Sequence, residues 1–110
     1  IKRGVVPACE VCGAILKPSA ILFGEPIPRD AYERAVQHSR KSDLFIVLGS
    51  SLLVEPASIL PEMAKRSGAK LAIVNLDPTP LNSEADIVIN RKIGEVLIGV
   101  ERLLKPFLRN

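Results

Sequence analysis

Two cysteines form the most distinctive chemical motif in the chain. Cys9 and Cys12 are separated by two residues and followed by Gly13, which permits a tight turn. Two thiolates at this spacing can bind one face of a tetrahedral Zn²⁺, and a structural zinc site needs four ligands. We therefore interpret the pair as half of a zinc ribbon. A redox Cys-x-x-Cys pair and two incidental buried thiols stay open as alternatives.

The single histidine does not complete this site. His38 lies near the end of a predicted helix beside Gln37, Ser39, Arg40 and Lys41, with no second metal ligand near it. The same solvated helix end argues against a role as a general base. The sequence contains no Ser/His/Asp set and no arguable pair of catalytic carboxylates, so no catalytic residue is assigned.

Polar residues follow two of the apolar runs. Gly49, Ser50 and Ser51 come after one run, and their hydroxyls and backbone N–H groups could hold a phosphate or a ribose. Asn75 and Asp77 end the next run and could hydrogen-bond ribose hydroxyls. Each group also has a simpler interpretation. Residues 49–51 could form an ordinary turn, and Asn75 with Asp77 could form an Asx turn.

A third candidate is Phe23 with Gly24, at the end of the first apolar run. A phenylalanine beside a glycine at a sheet edge could wall an apolar channel or pair with an extended peptide. The alternative is a strand end with a buried phenylalanine.

Short apolar runs alternate with helical patterns, and these elements must position the motifs. We predict strands over 20–23, 44–48, 70–76 and 87–89, and helices over 28–40, 56–67 and 93–108. The runs at 44–48 and 71–74 are apolar at both alternating positions, which is typical of strands buried on both faces. Asp30 and Glu33 have the spacing of a capping box. The alternation predicts an α/β fold with a parallel sheet that binds ligands at the carboxyl ends of its strands.

The composition narrows the class of protein. The 110 residues, of 11.9 kDa, suit one small domain or a piece of a larger one. The net charge is only +3, the charges alternate in sign, and aromatic residues are 4% with no tryptophan, which argues against direct nucleic-acid binding.

The targeting signals and the cysteine count give further expectations. No run of 18 apolar residues occurs, so we expect no membrane partner. The first residues do not resemble a signal peptide, and the missing initial methionine favours a piece cut from a longer chain. Two cysteines are too few for a disulfide scaffold, so we expect a reducing, cytoplasmic location.

Together these motifs resemble the sirtuin family of NAD-dependent protein lysine deacetylases. The matching segments are residues 7–13, 16–18, 21–28, 43–44, 47–52, 54–57, 60–61, 68–69, 73–76, 78–79, 85–86 and 94–97, in the family's order and spacing. The Phe-Gly-Glu segment followed by Gly-Ser-Ser-Leu-x-Val-x-Pro is the most specific part of the match.

The resemblance implies two sets of ligand contacts. Contacts to acetylated peptide would be made by Ile21, Phe23, Gly24, Glu25, Leu53 and Val54. Ile21 and Phe23 resemble positions that line the acetyl-lysine tunnel. Gly24 and Glu25 resemble the segment that pairs with the peptide, and Leu53 and Val54 resemble the segment on the opposite side of the peptide. Contacts to NAD would be made by Gly49, Ser50, Ser51, Asn75, Leu76, Lys92 and Ile93. Gly49, Ser50 and Ser51 match the loop that contacts the ribose and phosphates. Asn75 and Leu76 match residues around the adenosine ribose, and Lys92 and Ile93 match residues that close over the adenine.

The resemblance also implies a fold. It is a three-layer, Rossmann-like (DHS-like) NAD-binding α/β fold, present in part. Residues 1–18 would be the second half of a zinc-ribbon module, in which Cys9 and Cys12 are the second cysteine pair. Residues 19–110 would be the C-terminal part of the NAD-binding domain.

Several family elements are absent from the sequence. They are the Gly-Ala-Gly-x-Ser phosphate segment, the Gln-Asn-x-Asp element, the upstream catalytic histidine and the first cysteine pair. The parent enzyme would yield nicotinamide, acetyl-ADP-ribose and deacetylated lysine, whereas the isolated chain is expected to be inactive. A missing N-terminal half or a second copy would complete the site. The alternatives are a non-catalytic nucleotide- or peptide-binding fragment and a zinc-bridged structural dimer.

Overall fold

The computed structural model describes residues 6–22 and 24–107. Its elements are α1 (Arg29–Lys41), β1 (Leu44–Leu48), α2 (Ile59–Arg66), β2 (Lys70–Val74), β3 (Ile87–Ile89) and α3 (Ile93–Leu104). The three strands form one parallel sheet in the order β1-β2-β3, which confirms the predicted α/β class. In the described part of the chain, no helix has the length and apolar character needed to cross a membrane.

The core lies on the central strand, β2. Leu71 and Ile73 of this strand are fully buried and pack in one cluster with Val47 of β1 and with Leu81. Helix α2 packs on β1 and β2, and α1 packs on α2. Since β2 has a hydrogen-bonded strand on each side, its backbone N–H and C=O groups are paired. Its buried side chains pack with residues of β1 and of the loop that precedes β3.

The prediction that β1 is buried on both faces is wrong. Leu44, Ile46 and Leu48 are exposed, whereas Val47 is buried and Phe45 is half-buried. Within residues 6–22 and 24–107, helix α2 covers one face of this strand and no element covers the other. A continuous apolar run therefore predicts the strand correctly but not the environment of each face.

Helix α1 confirms the predicted helix, but the capping box is wrong. Pro28 occupies the N-cap position and no side chain caps the helix. Asp30 lies in the first turn and pairs with Arg34 at 3.2 Å, while Glu33 accepts a hydrogen bond from Arg29 at 2.7 Å. The helix starts earlier than the box requires, and Asp30 still interacts favourably with the helix dipole.

Four other predicted elements differ from the structure. The strand predicted over 70–76 ends at Val74. The strand predicted over 20–23 is not formed by residues 20–22, because no neighbouring strand pairs with them there. The helix predicted from residue 56 begins at Ile59, after a turn. It ends before Gly68, whose φ of +101° suits the predicted stop. Helix α3 ends at Leu104 and buries none of its residues, and predicted position 108 lies outside the described residues.

Asp86 ties α2 and β2 together just before β3. Its carboxylate accepts hydrogen bonds from Lys65 Nζ at 2.6 Å, Lys70 Nζ at 3.1 Å and the Leu71 N–H at 2.8 Å. These donors, Lys65 first, hold the pKa of Asp86 well below its usual range. The negative charge is therefore favoured by the folded state.

This arrangement predicts a specific acid sensitivity. Because the folded-state pKa is depressed, the stabilisation is present above the unfolded pKa of about 4 and is lost as the pH falls toward the folded value. We expect the urea midpoint of the protein to fall more steeply below pH 5 than that of Asp86→Asn. The matched control is Asp30→Asn, which removes an exposed carboxylate from α1. Equal slopes for the unchanged protein and Asp86→Asn would contradict the prediction.

Candidate functional site

A cavity of about 520 Å³ lies between the segment that precedes α1 and the loop that follows β1. The first segment contributes Ile21, Leu22, Gly24, Glu25 and Ile27. The second contributes Ser50, Ser51, Val54, Glu55, Pro56, Ala57 and Ser58. A mostly apolar wall with a few hydroxyls and carboxylates is typical of a small-molecule site.

The first wall is shaped by a turn between Leu22 and Glu25. The Glu25 N–H donates to the Leu22 carbonyl at 3.0 Å, and Gly24 has a φ of +85°, which a β-carbon would disfavour. The Glu25 carboxylate accepts a hydrogen bond from the Leu22 N–H at 3.1 Å and pairs with Lys17 at 2.6 Å. Lys17 first, and then the Leu22 N–H, lower the pKa of Glu25. The Glu25 carboxylate is therefore favoured in its ionised form, and in that form it stabilises the turn.

The second wall begins where β1 ends. Gly49 has a φ of +63°, and its N–H donates to the Val74 carbonyl at 2.9 Å. A β-carbon on Gly49 would lie 2.6 Å from Cδ1 of Ile93, so the first residue of α3 sits directly on this glycine. Ser50 Oγ accepts a hydrogen bond from the Leu52 N–H at 3.3 Å. The loop is thus fixed at its start by β2 and α3.

The loop after β2 leaves the same edge of the sheet, because Leu48 and Val74 are register partners. The Asn75 N–H donates to Ile89 at 3.2 Å, and the side-chain amide of Asn90 donates to the Asn75 carbonyl at 3.0 Å. The side-chain amide of Asn75 donates to the Asp77 carbonyl at 2.8 Å. That last bond is not the Asx turn that the sequence left open as an alternative, because in an Asx turn the side-chain oxygen accepts from the N–H two residues on, whereas here the side-chain nitrogen donates to a carbonyl.

The predicted site residues are only partly brought together. The cavity joins four peptide-site candidates with two cofactor-site candidates, namely Ile21, Gly24, Glu25, Val54, Ser50 and Ser51. Among the described residues, Leu53, Asn75, Leu76, Lys92 and Ile93 lie outside its lining. Phe23 falls outside the described residues. Gly49 precedes Ser50 and Ser51 but does not line the cavity itself.

Sequence reasoning missed part of the wall. Leu22, Ile27, Glu55 and residues 56–58 also line the cavity. Leu22 and Ile27 belong to the same apolar segment as the predicted residues, so they could have been included on that ground. Nothing in the pattern of residues 55–58 distinguishes a cavity wall from the start of a helix.

The cysteine pair sits on a tight turn. The Gly13 N–H donates to the Cys9 carbonyl at 2.8 Å, and the Cys9 N–H donates to Ala14 at 2.8 Å. Hydrogen bonds from the backbone of Cys12, and then of Val11, lower the pKa of the Cys9 thiol. Two sulfur donors on one tight turn match one side of a tetrahedral zinc site, and the lowered pKa of Cys9 favours the thiolate that binds the metal. In the described part of the chain, no group of three or more His, Cys, Asp or Glu side chains could hold a metal ion.

Comparison with known families places these features in context. The model of the Sir2 family matches residues 1–56, which include the cysteine pair, the first cavity wall and most of the second. The chain belongs to the Sir2 family. The resemblance to the sirtuins that the motifs predict is thereby confirmed.

Curated members of the Sir2 family are similar to this chain over most of its length. It is 57% identical over 93 residues to NAD-dependent protein deacetylase 1 of Geobacillus kaustophilus, which covers 84% of this chain and 38% of the relative. It is 51% identical over 100 residues to the NAD-dependent protein deacetylase of Shouchella clausii, covering 90% of this chain and 42% of the relative. The chain therefore spans about two-fifths of the length of these relatives.

Solved Sir2 structures share the fold. A complex of Sir2 with p53 peptide and NAD⁺ aligns with a TM-score of 0.84 at 42% identity, covering 89% of this chain and 41% of the other. Sir2Tm bound to a propionylated peptide aligns with the same TM-score, identity and coverage. The Rossmann-like α/β fold that the resemblance implies is therefore confirmed.

Proposed function

We propose that the protein takes part in the NAD-dependent removal of acyl groups from protein lysine side chains. Its share of the work is to hold the acylated peptide and the adenosine side of NAD. The observation that carries this proposal is a cavity in which an apolar wall meets the Ser50-Ser51 loop. The similarity to NAD-dependent protein deacetylases, and to Sir2 structures that contain acetylated peptide or NAD⁺, supports it.

The two walls suit different parts of the reaction. Ile21, Leu22 and Val54 offer an apolar surface that fits the uncharged side chain of an acylated lysine. Ser50 and Ser51 offer hydroxyls beside them, which fit ribose or phosphate oxygens. Ser50 and Ser51 would hold NAD by its ribose or phosphate oxygens, and the bound cofactor would supply an electrophilic ribose carbon and a nicotinamide leaving group. Holding the two reactants side by side, with water excluded from the apolar wall, is the contribution of these residues.

The proposal also covers zinc binding, the lack of turnover by these residues alone, and the location of the protein. Cys9 and Cys12 would hold one side of a structural Zn²⁺, and the 110 residues contain no other cysteine, so two further ligands must come from a second polypeptide segment or a second copy. Because the family's catalytic histidine and nicotinamide-pocket motifs are absent from these residues, we propose that they have no turnover alone. A cytoplasmic location is part of the proposal, since both cysteines are free.

The test is binding of a fluorescent acetyl-lysine peptide, measured by anisotropy with and without NAD. We expect saturable binding, and we expect Val54→Asp to weaken it about tenfold, because a carboxylate in the apolar wall must be desolvated when the peptide binds. Val100→Asp is the matched control, since Val100 is on α3 outside the cavity lining.

Two outcomes would count against the proposal. Failure of the unchanged protein to distinguish acetylated from unmodified peptide would remove the peptide site. Release of acetyl-ADP-ribose by the pure 110-residue chain would overturn the proposed lack of turnover.

A further inference from the structure

Lys17 lies outside the cavity lining, but its ammonium group reaches the cavity wall. Its Nζ is 2.6 Å from both Oε1 and Oε2 of Glu25, which lines the cavity. The Glu25 carboxylate also accepts the Leu22 N–H, and the Glu25 N–H donates to the Leu22 carbonyl. One carboxylate therefore joins Lys17 to both ends of the turn that shapes the first wall.

The backbone of Lys17 directly follows the hairpin that carries the cysteines. This cysteine hairpin, residues 7–16, is closed by an antiparallel bridge between Ala8 and Ile15 and by a 2.8 Å hydrogen bond from the Leu16 N–H to the Pro7 carbonyl. Lys17 is the next residue along the chain. Its backbone position is thus set by the hairpin, while its side chain is held by the wall.

We propose that Lys17 is a positioning residue for the acylated peptide. Through Glu25 it fixes the turn between Leu22 and Glu25 to the cysteine hairpin, so that the first wall is already in place when the peptide arrives. Lys17 itself does not touch the peptide. This inference rests on the proposed function, because it assigns a second role within the same cavity.

The geometry distinguishes this pair from an ordinary surface ion pair. Exposed pairs contribute little because two flexible side chains must be ordered for one interaction. Here both carboxylate oxygens are engaged and one of them is shared with a backbone N–H, so Glu25 is already ordered by the turn. The ion pair then acts on the position of a binding wall rather than on global stability.

The experiment compares peptide and nucleotide affinities of Lys17→Met with those of the unchanged protein. We expect affinity for the acetyl-lysine peptide to fall about fivefold. Affinity for ADP-ribose, measured by calorimetry, is expected to change less than twofold, because the Ser50-Ser51 loop belongs to the other wall. Lys17→Arg should keep peptide affinity within about twofold, since it restores the cation.

Two further variants complete the design. Arg66→Met is the matched control, because it removes an exposed cation from an ion pair with Glu62 on α2, outside the cavity lining. The double variant Lys17→Met/Glu25→Gln should bind peptide no more weakly than Glu25→Gln alone, since the two residues act through one contact.

Each outcome has a separate meaning. Equal peptide affinities for Lys17→Met and Arg66→Met would overturn the inference and leave the proposed function intact. Equal losses of peptide and nucleotide affinity would also overturn it, because they indicate general unfolding. If the unchanged protein binds no acetylated peptide, the proposed function fails, and the inference fails with it.

Discussion

Replacing Leu71 with alanine is expected to lower the free energy of unfolding by about 2–5 kcal/mol. Leu71 is fully buried on the central strand, opposite Phe45 of β1 and within the cluster that includes Val47 and Ile73. The substitution removes apolar area from the core and leaves a cavity that a three-stranded sheet can only partly close. Urea unfolding followed by circular dichroism would measure the loss.

The control for this variant is Leu103→Ala. Leu103 is 74% exposed on α3, so its truncation should change the free energy of unfolding by no more than about 0.5 kcal/mol. A loss below about 1 kcal/mol for Leu71→Ala, with an unchanged denaturant slope, would show that β2 is not the centre of the core. A large effect of Leu103→Ala would show that another surface covers α3 in solution.

The fold could be predicted from the sequence where local pattern and tertiary environment agree. The run at 71–74 predicts a strand buried on both faces, and in β2 Leu71 and Ile73 on one face and Val74 on the other are buried. The equally apolar run at 44–48 gives the same prediction for β1, yet one face of β1 is exposed. Hydrophobicity reports what a side chain tolerates, whereas burial depends on which other elements are present to cover it.

Some residues of the candidate site could be predicted from the sequence, whereas other contacts are visible only in the structure. The glycine and serines after β1 could be found because the carboxyl ends of parallel strands gather at one edge of a sheet. The bond from Lys17 to Glu25 could not, because it joins an exposed lysine to a half-buried glutamate across an irregular segment whose path no periodicity predicts. Likewise, the family resemblance places Ile93 near the cofactor, but only the structure shows that it rests on Gly49.

That contact makes Gly49→Ala the second variant with a large expected effect. Alanine at a φ of +63° costs about 1–2 kcal/mol, and its β-carbon would lie 2.6 Å from Ile93 Cδ1. Cδ1 is the terminal methyl of Ile93, so the clash can be relieved by turning this side chain off its preferred rotamer, which adds about 0.5–1.5 kcal/mol. We expect a total loss of about 2–3 kcal/mol in unfolding free energy. ADP-ribose affinity should fall at least about tenfold, because relief of the backbone strain at position 49 displaces Ser50 and Ser51.

Two other glycines separate the causes of this loss. Gly68 has a φ of +101° with no atom near its absent β-carbon, so Gly68→Ala carries backbone strain alone and leaves nucleotide affinity unchanged. Gly99 lies within α3 in open space, and Gly99→Ala should stabilise the helix by up to about 1 kcal/mol. Ile93→Ala combined with Gly49→Ala should recover the steric part of the loss but not the strain. If Gly49→Ala instead matches Gly68→Ala in both measurements, the start of α3 does not hold the loop, and the cavity's second wall depends on β2 alone.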